Sequence, residues 1–399
     1  MAGRTLDFAE YIGTPDTLAN AIGNKYLEWS NQRRSWVEDK KELRNYVFAT
    51  DTTKTSNATL PWKNSTTTPK LCQIRDNLHA NYMAALFPND DWLLWEGDDE
   101  DSEAEEKRKV ISSYIKNKLR YGNFINIVST MVYDFIDYGN VIGTTEYVNE
   151  TRIDEETGEV YPGYVGPRAV RLSPYDVLIN PVASNIDNSP KLIRYIKTLG
   201  EVAADIEDHP EMGYLSEVFN DIVTVRQNVS GLSTHDVDKA EGYTIDGFGS
   251  IFEYYQSDYV ELLEFHGDIY DTTTKELLKN RIITIADRQR VIRNVANPSW
   301  RGQSIRHAGW RLRPDNLYAM GPLDNLVGMQ YRIDHLENLK ADVFDMIAHP
   351  IAKVQGFVED FTFGPGEKIY VGEDGNVEFM RPDTTALNAD TQIAILENK

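Results

Sequence analysis

Apolar residues recur at helical spacing in four stretches of this chain. The first opens at Thr14-Pro15, with proline at a first helical position. It carries Leu18, Ile22, Trp29, Trp36, Leu43 and Tyr46 among charged residues to about residue 47, as one amphipathic helix or an interrupted one. Leu71, Ile74, Leu78, Tyr82 and Leu86 set out a second helix, which Phe87-Pro88 ends. A third runs from Asn123, placed as an N-cap, through Ile127, Val128, Met131, Val132, Phe135 and Ile136, and stops at Gly139 in the left-handed conformation. The longest opens at Gly321-Pro322. Its stripe of Leu323, Leu326, Val327, Ile333, Leu336, Leu339, Val343, Phe344 and Ile347 ends at His349-Pro350. A helix of that length is a strut of roughly 40 Å.

Between these stretches the period changes. Residues 143–148, 160–161, 169–172 and 176–179 read as short strands, with a turn at 155–158. Residues 191–225 are mixed, with helix expected at 199–206 and 215–225, and 228–250 is a Gly/Ser/Thr/Asp-rich loop. Strands follow at 259–265 and 281–286 around a turn near 271–274, a β-rich piece able to stand as a small module. Residues 51–69 are a polar loop, and Trp92 and Trp95 lie in an irregular segment. The turns Gly364-Pro365-Gly366 and Glu373-Asp374-Gly375 punctuate short strands before a final helix from Thr384 or Asn388. That helix has no stop signal before Lys399, so the natural chain is expected to continue. The fold class is α+β, and no internal repeat is visible.

Composition narrows the class. With 399 residues and 41% hydrophobic content the chain has room for two or three globular domains. Its one cysteine, Cys72, excludes an intrachain disulfide framework and fits a reducing compartment. Met1 to Glu10 holds no apolar signal region, and no run of 18 apolar residues exists, so no membrane span is expected. The 22 tyrosines and 7 tryptophans suit subunit interfaces as well as cores. A net charge of −22 argues against coating DNA by bulk attraction, which depends on Lys and Arg.

Candidate chemistry is sparse. A phosphate loop needs G-x-x-x-x-G-K-[ST]; Gly364-Pro365-Gly366-Glu367-Lys368 has the wrong spacing and a proline where an amide should donate. The seven histidines form no metal-binding pair, and no G-x-S-x-G elbow occurs. Residues 98–106 hold seven acids in nine positions. Carboxylates that bind two metals converge from separate elements, whereas a run fans outward, so a solvated face is the better reading. Such a face would also keep DNA from sticking. No catalytic residue, metal or cofactor is assigned. Residues 281–313 have the opposite bias. Arg281, Arg288, Arg290, Arg293, Arg301, Arg306, Arg311 and Arg313 stand against Asp287 alone, a surplus of +7 that leaves −29 on the rest. Trp300 and Trp310 are interleaved. Two readings stay open: a docking surface for DNA backbone or an acidic partner, or a set of salt bridges between subunits.

The order of several short motifs resembles the portal (head-to-tail connector) proteins of short-tailed bacteriophages. They are Leu60-Pro61-Trp62-Lys63-Asn64-Ser65, Ala84-Ala85-Leu86-Phe87-Pro88, Asp134-Phe135-Ile136-Asp137-Tyr138-Gly139-Asn140, Ser173-Pro174-Tyr175-Asp176-Val177, Asn180-Pro181, and the Gly321-Pro322 helix through His349-Pro350-Ile351 to the Gly364-Pro365-Gly366 turn. The resemblance implies a portal-type subunit without enzymatic activity, with a helical wing at 1–190, a first stem helix and loop at 191–250 and a β-rich clip at 251–313. A second stem helix would span 314–350, and 351–399 would return to the wing, ending before a crown. It further implies a homo-oligomeric ring, a dodecamer at the capsid vertex of the virion, assembled in the host cytoplasm and threaded by double-stranded DNA. The implied partners are the terminase large subunit, a tail adaptor protein, and major capsid and scaffold proteins. On this basis Arg288, Arg290, Arg293, Arg301, Arg306, Arg311 and Arg313 are expected at the DNA- or partner-binding clip. Asp324, Asp334 and Glu337 are expected to face the channel or the next subunit. The rival readings are another head-tail adaptor or structural virion protein and, further off, a metal-dependent DNA nuclease.

Overall fold

A computed structural model describes residues 6–7, 15–48, 66–90, 92–93, 102–153, 160–180, 189–227, 258–271, 276–299, 304–314, 316–356, 358–359, 370–371 and 375–380, with a few positions in 183–187 and 390–396. The chain divides into two units, residues 1–39 with 78–321 and residues 40–77 with 322–399. Helix and sheet are mixed, as the α+β reading expects.

The helices before residue 321 are α1 (Pro15–Gln32), α2 (Arg34–Phe48), α3 (Lys70–Leu86), α4 (Ser102–Tyr121), α5 (Phe124–Asp137), α6 (Leu199–Asp208) and α7 (Ser216–Gln227). The strands are β1 (Leu6–Asp7), β2 (Asn140–Ile153), β3 (Val160–Leu172), β4 (Val177–Ile179), β5 (Lys191–Thr198), β6 (Tyr259–Asp271), β7 (Glu276–Ala286), β8 (Arg290–Ala296), β9 (Arg306–Gly309), β10 (Arg311–Arg313) and β11 (Asn316–Met320). The first unit is built on a sheet of order β4-β5-β6-β7-β8, antiparallel throughout, with β1 added parallel to the far end of β6. Successive side chains point to opposite faces. Leu192, Leu263, Phe265, Ile283 and Ile285 pack against Ala19, Ile22, Tyr26 and Trp29 of α1. Val260, Leu262, Ala286 and Ile292 pack against Val202 of α6 and Ile222 of α7. Covering both faces explains why adjacent as well as alternate positions are apolar, as at Leu192-Ile193, Leu262-Leu263 and Ile282-Ile283. Helix α6 starts on a capping box: Glu201 N donates to the Thr198 hydroxyl at 3.1 Å, and Thr198 N donates to the Glu201 carboxylate at 2.7 Å.

A second sheet, β3-β2-β9, is dominated by the long β2–β3 hairpin. Ile142 and Leu172 at its base join Val177, Ile179, Ile193, Ile305 and Leu317 in one cluster, which places β11 beside β4. The corner from α5 into β2 is tight. Gly139 has φ +69°, and a Cβ there would lie 2.4 Å from the Gly321 nitrogen. Next to it the side chain of Asn140 accepts from Ala319 N at 3.1 Å and donates to Tyr138 O at 3.0 Å.

The second unit contains α8 (Val327–Ala348), β12 (Ile351–Gln355) paired with β15 (Asn376–Met380), and β13 (Val358–Glu359) paired with β14 (Tyr370–Val371). Ile333 of α8 packs with Ile393, and Leu43, Tyr46 and Val47 of α2 are buried.

Four expectations change. Asn123 is not a side-chain cap: it sits at φ 57° and ψ 33°, turning α4 into α5, and instead accepts from Asn126 Nδ2 at 2.6 Å. The described part of 191–250 holds a strand and two helices of 10 and 12 residues, not one long helix, because His209-Pro210 and Gly213 interrupt it. The strands of 251–313 do not form a separate module: β6, β7 and β8 share a sheet with β4 and β5, since apolar pattern marks strands but not their pairing partners. The long helix is 22 residues, about 33 Å, because Asp324–Leu326 is a tighter 3-10 turn ahead of it. The loops at 51–65 and 228–250, Pro181, Trp95, His349-Pro350, the Gly364-Pro365-Gly366 and Glu373-Asp374 turns, and the start of the last helix lie outside the described residues.

Gly139→Ala tests the corner: the side chain meets backbone and the left-handed φ is strained, so unfolding in urea should lose on the order of 2 kcal/mol or more.

Candidate functional site

The arginines of 281–313 do not share one environment. Hairpin β7–β8 turns through Asp287 (φ 49°) and Arg288 (φ 57°), both left-handed positions where Asn-Gly is usual. Two buried ion pairs hold this turn. Arg288 donates from Nε to Glu261 at 2.7 Å and from Nη2 at 2.9 Å, its guanidinium lying 4.7 Å from the Tyr26 ring centroid. Arg226 of α7 donates to both Asp287 carboxylate oxygens at 3.2 and 3.3 Å. Glu261 is fully buried and Arg288 is 5% exposed, so Arg288 belongs to the interior and not to an exposed docking surface.

Arg293 is half-buried. It reaches Glu264 at 3.3 Å and lies over Tyr214, 5.4 Å from its centroid. Burial opposes ionisation of Glu264, but the His266 hydrogen bond at 2.6 Å and the charges of His266 and Arg293 keep its carboxyl below the usual range. Burial pushes the Tyr214 hydroxyl up to about 12, with Glu264 adding to the shift. Arg290 pairs with Asp221 of α7 at 2.7 Å, and exposed Arg306 pairs with Asp187 at 3.2 Å. Arg281 bonds Asn294. Arg301 and Trp300 lie outside the described residues. Arg311 and Arg313 differ from all of these. Both are exposed on β10, and among the described residues neither has a hydrogen-bond or ion-pair partner. They flank Leu312, 47% exposed, and follow Trp310, 39% exposed, which stacks edge-on against Tyr82 and Phe135.

Two of the three candidate acids near the long helix are internal. Asp324 takes both of its oxygens to the buried ammonium of Lys40. Asp334 is fully buried within a ladder formed by Gln330, Asp334 and Asn338, which lie at i, i+4 and i+8 on one face of α8. Thr66 N donates to Asn338 Oδ1 at 2.8 Å, Thr68 N to Asp334 Oδ1 at 2.9 Å, and Leu71 N to Gln330 Oε1 at 3.3 Å. Asn338 Nδ2 and Gln330 Nε2 return bonds to the carbonyls of Thr66 and Thr68 at 3.1 and 2.6 Å. Two residues of extended chain and four of helix both advance roughly 6–7 Å, which lets Asn338 and Asp334 read Thr66 and Thr68 like a neighbouring strand, while Gln330 meets Leu71 in the first turn of α3. Glu337 is half-exposed. The Lys340 ammonium is held up by its hydrogen bond to Asp390 at 2.5 Å, with Glu337 adding to it.

The acidic run begins outside the described residues, at 98–101. Its described end is the first turns of α4, where exposed Glu105 pairs with Lys109 at 2.9 Å and its carboxyl is lowered by that hydrogen bond and charge. Among the described residues no three His, Cys, Asp or Glu side chains are grouped to hold a metal ion, and no helix is long and apolar enough to cross a membrane.

Sequence reasoning missed several buried polar groups. Arg33 donates to the carbonyls of Pro174 and Val177 at 3.0 Å each, and to that of Tyr175. Arg171 grips Asp134 at 2.5 and 2.6 Å. Lys191 donates to Ile186 O at 2.7 Å. The polar residues at 330, 334 and 338 carried a readable signal, an i, i+4, i+8 polar row on an otherwise apolar helix; the others carried none.

Burial, partly opposed by Asp187, pulls the Lys191 ammonium down to about 8. The unfolded chain keeps that proton to about 10.4, so stability should rise with pH between about 8 and 10, the cost being complete below 8. Lys191→Met should flatten that rise in denaturation midpoints. Arg288→Ala should cost about 3–5 kcal/mol by stranding Glu261, whereas Arg311→Ala should stay within about 0.5 kcal/mol.

Compared with known protein families, the sequence matches no family model, and no curated protein matches it.

Proposed function

We propose that this chain is a structural ring subunit of the portal type, which closes head to tail around an axis so that double-stranded DNA passes through the hole. The observation that carries the reading is how the motif residues behind the portal resemblance are used. Asp134 is bound by Arg171, Asn140 ties to Ala319, the Ser173–Val177 turn is gripped by Arg33, and Asp176 pairs with Arg194 at 3.1 Å. Gly139 and Gly321 meet backbone to backbone. These side chains brace the framework instead of converging on a reacting centre, as suits a part whose role is geometric.

On this reading the chain acts in the virion at the capsid vertex, with the packaging motor (the terminase large subunit), a tail adaptor, and capsid and scaffold proteins as partners. Exposed Arg311 and Arg313 suit contact with an acidic surface, on a neighbouring subunit or on a docking protein. Glu337 suits a weakly binding channel, where tight phosphate contacts would stall DNA. Arg288, Asp324 and Asp334 drop out, because each is held by a partner inside the fold: Arg288 by Glu261, Asp324 by Lys40 and Asp334 by Thr68 N.

Negative-stain images of the purified protein should show rings with a central hole, twelve-fold if the resemblance extends to subunit number. Particles that stay single under every assembly condition would overturn the reading, and nicking of plasmid with Mg²⁺ would favour the nuclease alternative.

A further inference from the structure

The first unit carries two exposed patches of opposite charge on opposite sides of its main sheet. One is Trp310, Arg311, Leu312 and Arg313, on and just before β10. Its partner strand β11 packs into the cluster containing Val177 and Ile179, and the Tyr318 hydroxyl accepts from Ile179 N at 3.3 Å, which puts this patch beside β4. The other patch lies along β8. The chain between α6 and α7 runs along the outer side of that strand, with Tyr214 bridged to Arg293 and Leu215 N donating to Ile292 O at 2.8 Å. Residues 199–221 hold seven acids and no Lys or Arg. Glu207, Asp208, Glu211 and Glu217 are exposed there around Leu215, which is 51% exposed.

β4 and β8 are the two outer strands of a five-strand path, so four strand spacings, roughly 19 Å, separate them. The patches therefore lie at opposite edges of the sheet, too far apart to pair within one chain. Each joins a large apolar side chain to charge of one sign. Glu207, Asp208 and Glu217 have no ion-pair partner among the described residues, nor do Arg311 and Arg313. Surfaces placed this way satisfy each other only between copies, and such heterologous contacts make rings or filaments.

We propose that Trp310, Arg311, Leu312 and Arg313 of one copy dock on the Glu207, Asp208, Leu215 and Glu217 surface of the next. The proposal rests on the ring reading and names the surface that closes it. The test is sedimentation velocity on the full chain over a concentration series at low and high salt. Wild type should assemble, less readily at high salt. Arg311→Glu with Arg313→Glu should raise the concentration for half-assembly at least tenfold, and adding Glu207→Arg with Glu217→Arg to that chain should restore most of it. In a Cys72→Ser background, Leu312→Cys with Leu215→Cys should cross-link chains to one another under oxidation. Should a reversal variant misfold, this cross-link still decides. Assembly of the double reversal at the wild-type concentration, no gain from the added swap, or no interchain cross-link would overturn this interface while leaving the ring intact. A wild type that never assembles would overturn the interface and the ring reading together.

Discussion

The close approach of two backbones at Gly139 and Gly321 is the constraint on which the first unit depends. Neither position has room for a Cβ, and Gly139 needs a left-handed φ as well. Because the chains touch there, Asn140 can reach Ala319 from both ends of its amide and accept from His307 Nε2 at 2.9 Å. One side chain thus ties β2 to β9 and β11. Burial lowers the pKa of His307, favouring the neutral ring, and its Nε2 must carry a proton to donate to the Asn140 carbonyl oxygen. Around this knot, Arg171 and Asp134 fasten the sheet to α5, and Arg33, just after α1, fastens the end of that helix to the Ser173–Val177 turn.

The second unit solves a different problem with similar means. Among the described residues its segment 66–71 pairs with no strand, and α8 supplies Gln330, Asp334 and Asn338 to its amides instead, the last of these amides lying in the first turn of α3. A buried backbone group left alone would be costly, and three side chains at four-residue intervals remove that cost. The price is a polar stripe inside an apolar helix, legible in the sequence only once a reason to look for it exists.

Charge is handled by position more than by amount. Most described arginines of 281–313 are answered within the fold, by Glu261, Glu264, Asp221 and Asp187, which themselves belong to the acidic remainder. Pairs such as Arg288–Glu261 are buried and fix the strained β7–β8 turn, where breaking one partner strands the other. Among the described residues the arginines left without an acid are Arg281 on β7, which bonds Asn294, and Arg311 and Arg313 on β10.

The sequence by itself determined the elements whose period is strong: α5 with its Gly139 stop, the apolar stripe that became α8, the helices at 199 and 215, and the strands at 259 and 281. These depend on local spacing and on backbone preferences that neighbouring residues set. It also carried the charge imbalance. The tertiary structure alone decided which strands pair, and therefore that β6–β8 complete one sheet with β4 and β5. It alone decided which arginine is spent. Arg288 and Arg311 look alike in the chain, but Glu261, 27 residues before Arg288, meets it only because β6 and β7 pair in the register that sets Leu262 opposite Ala286. An ion pair needs its partner within about 4 Å, and that distance is fixed by packing, not by sequence separation.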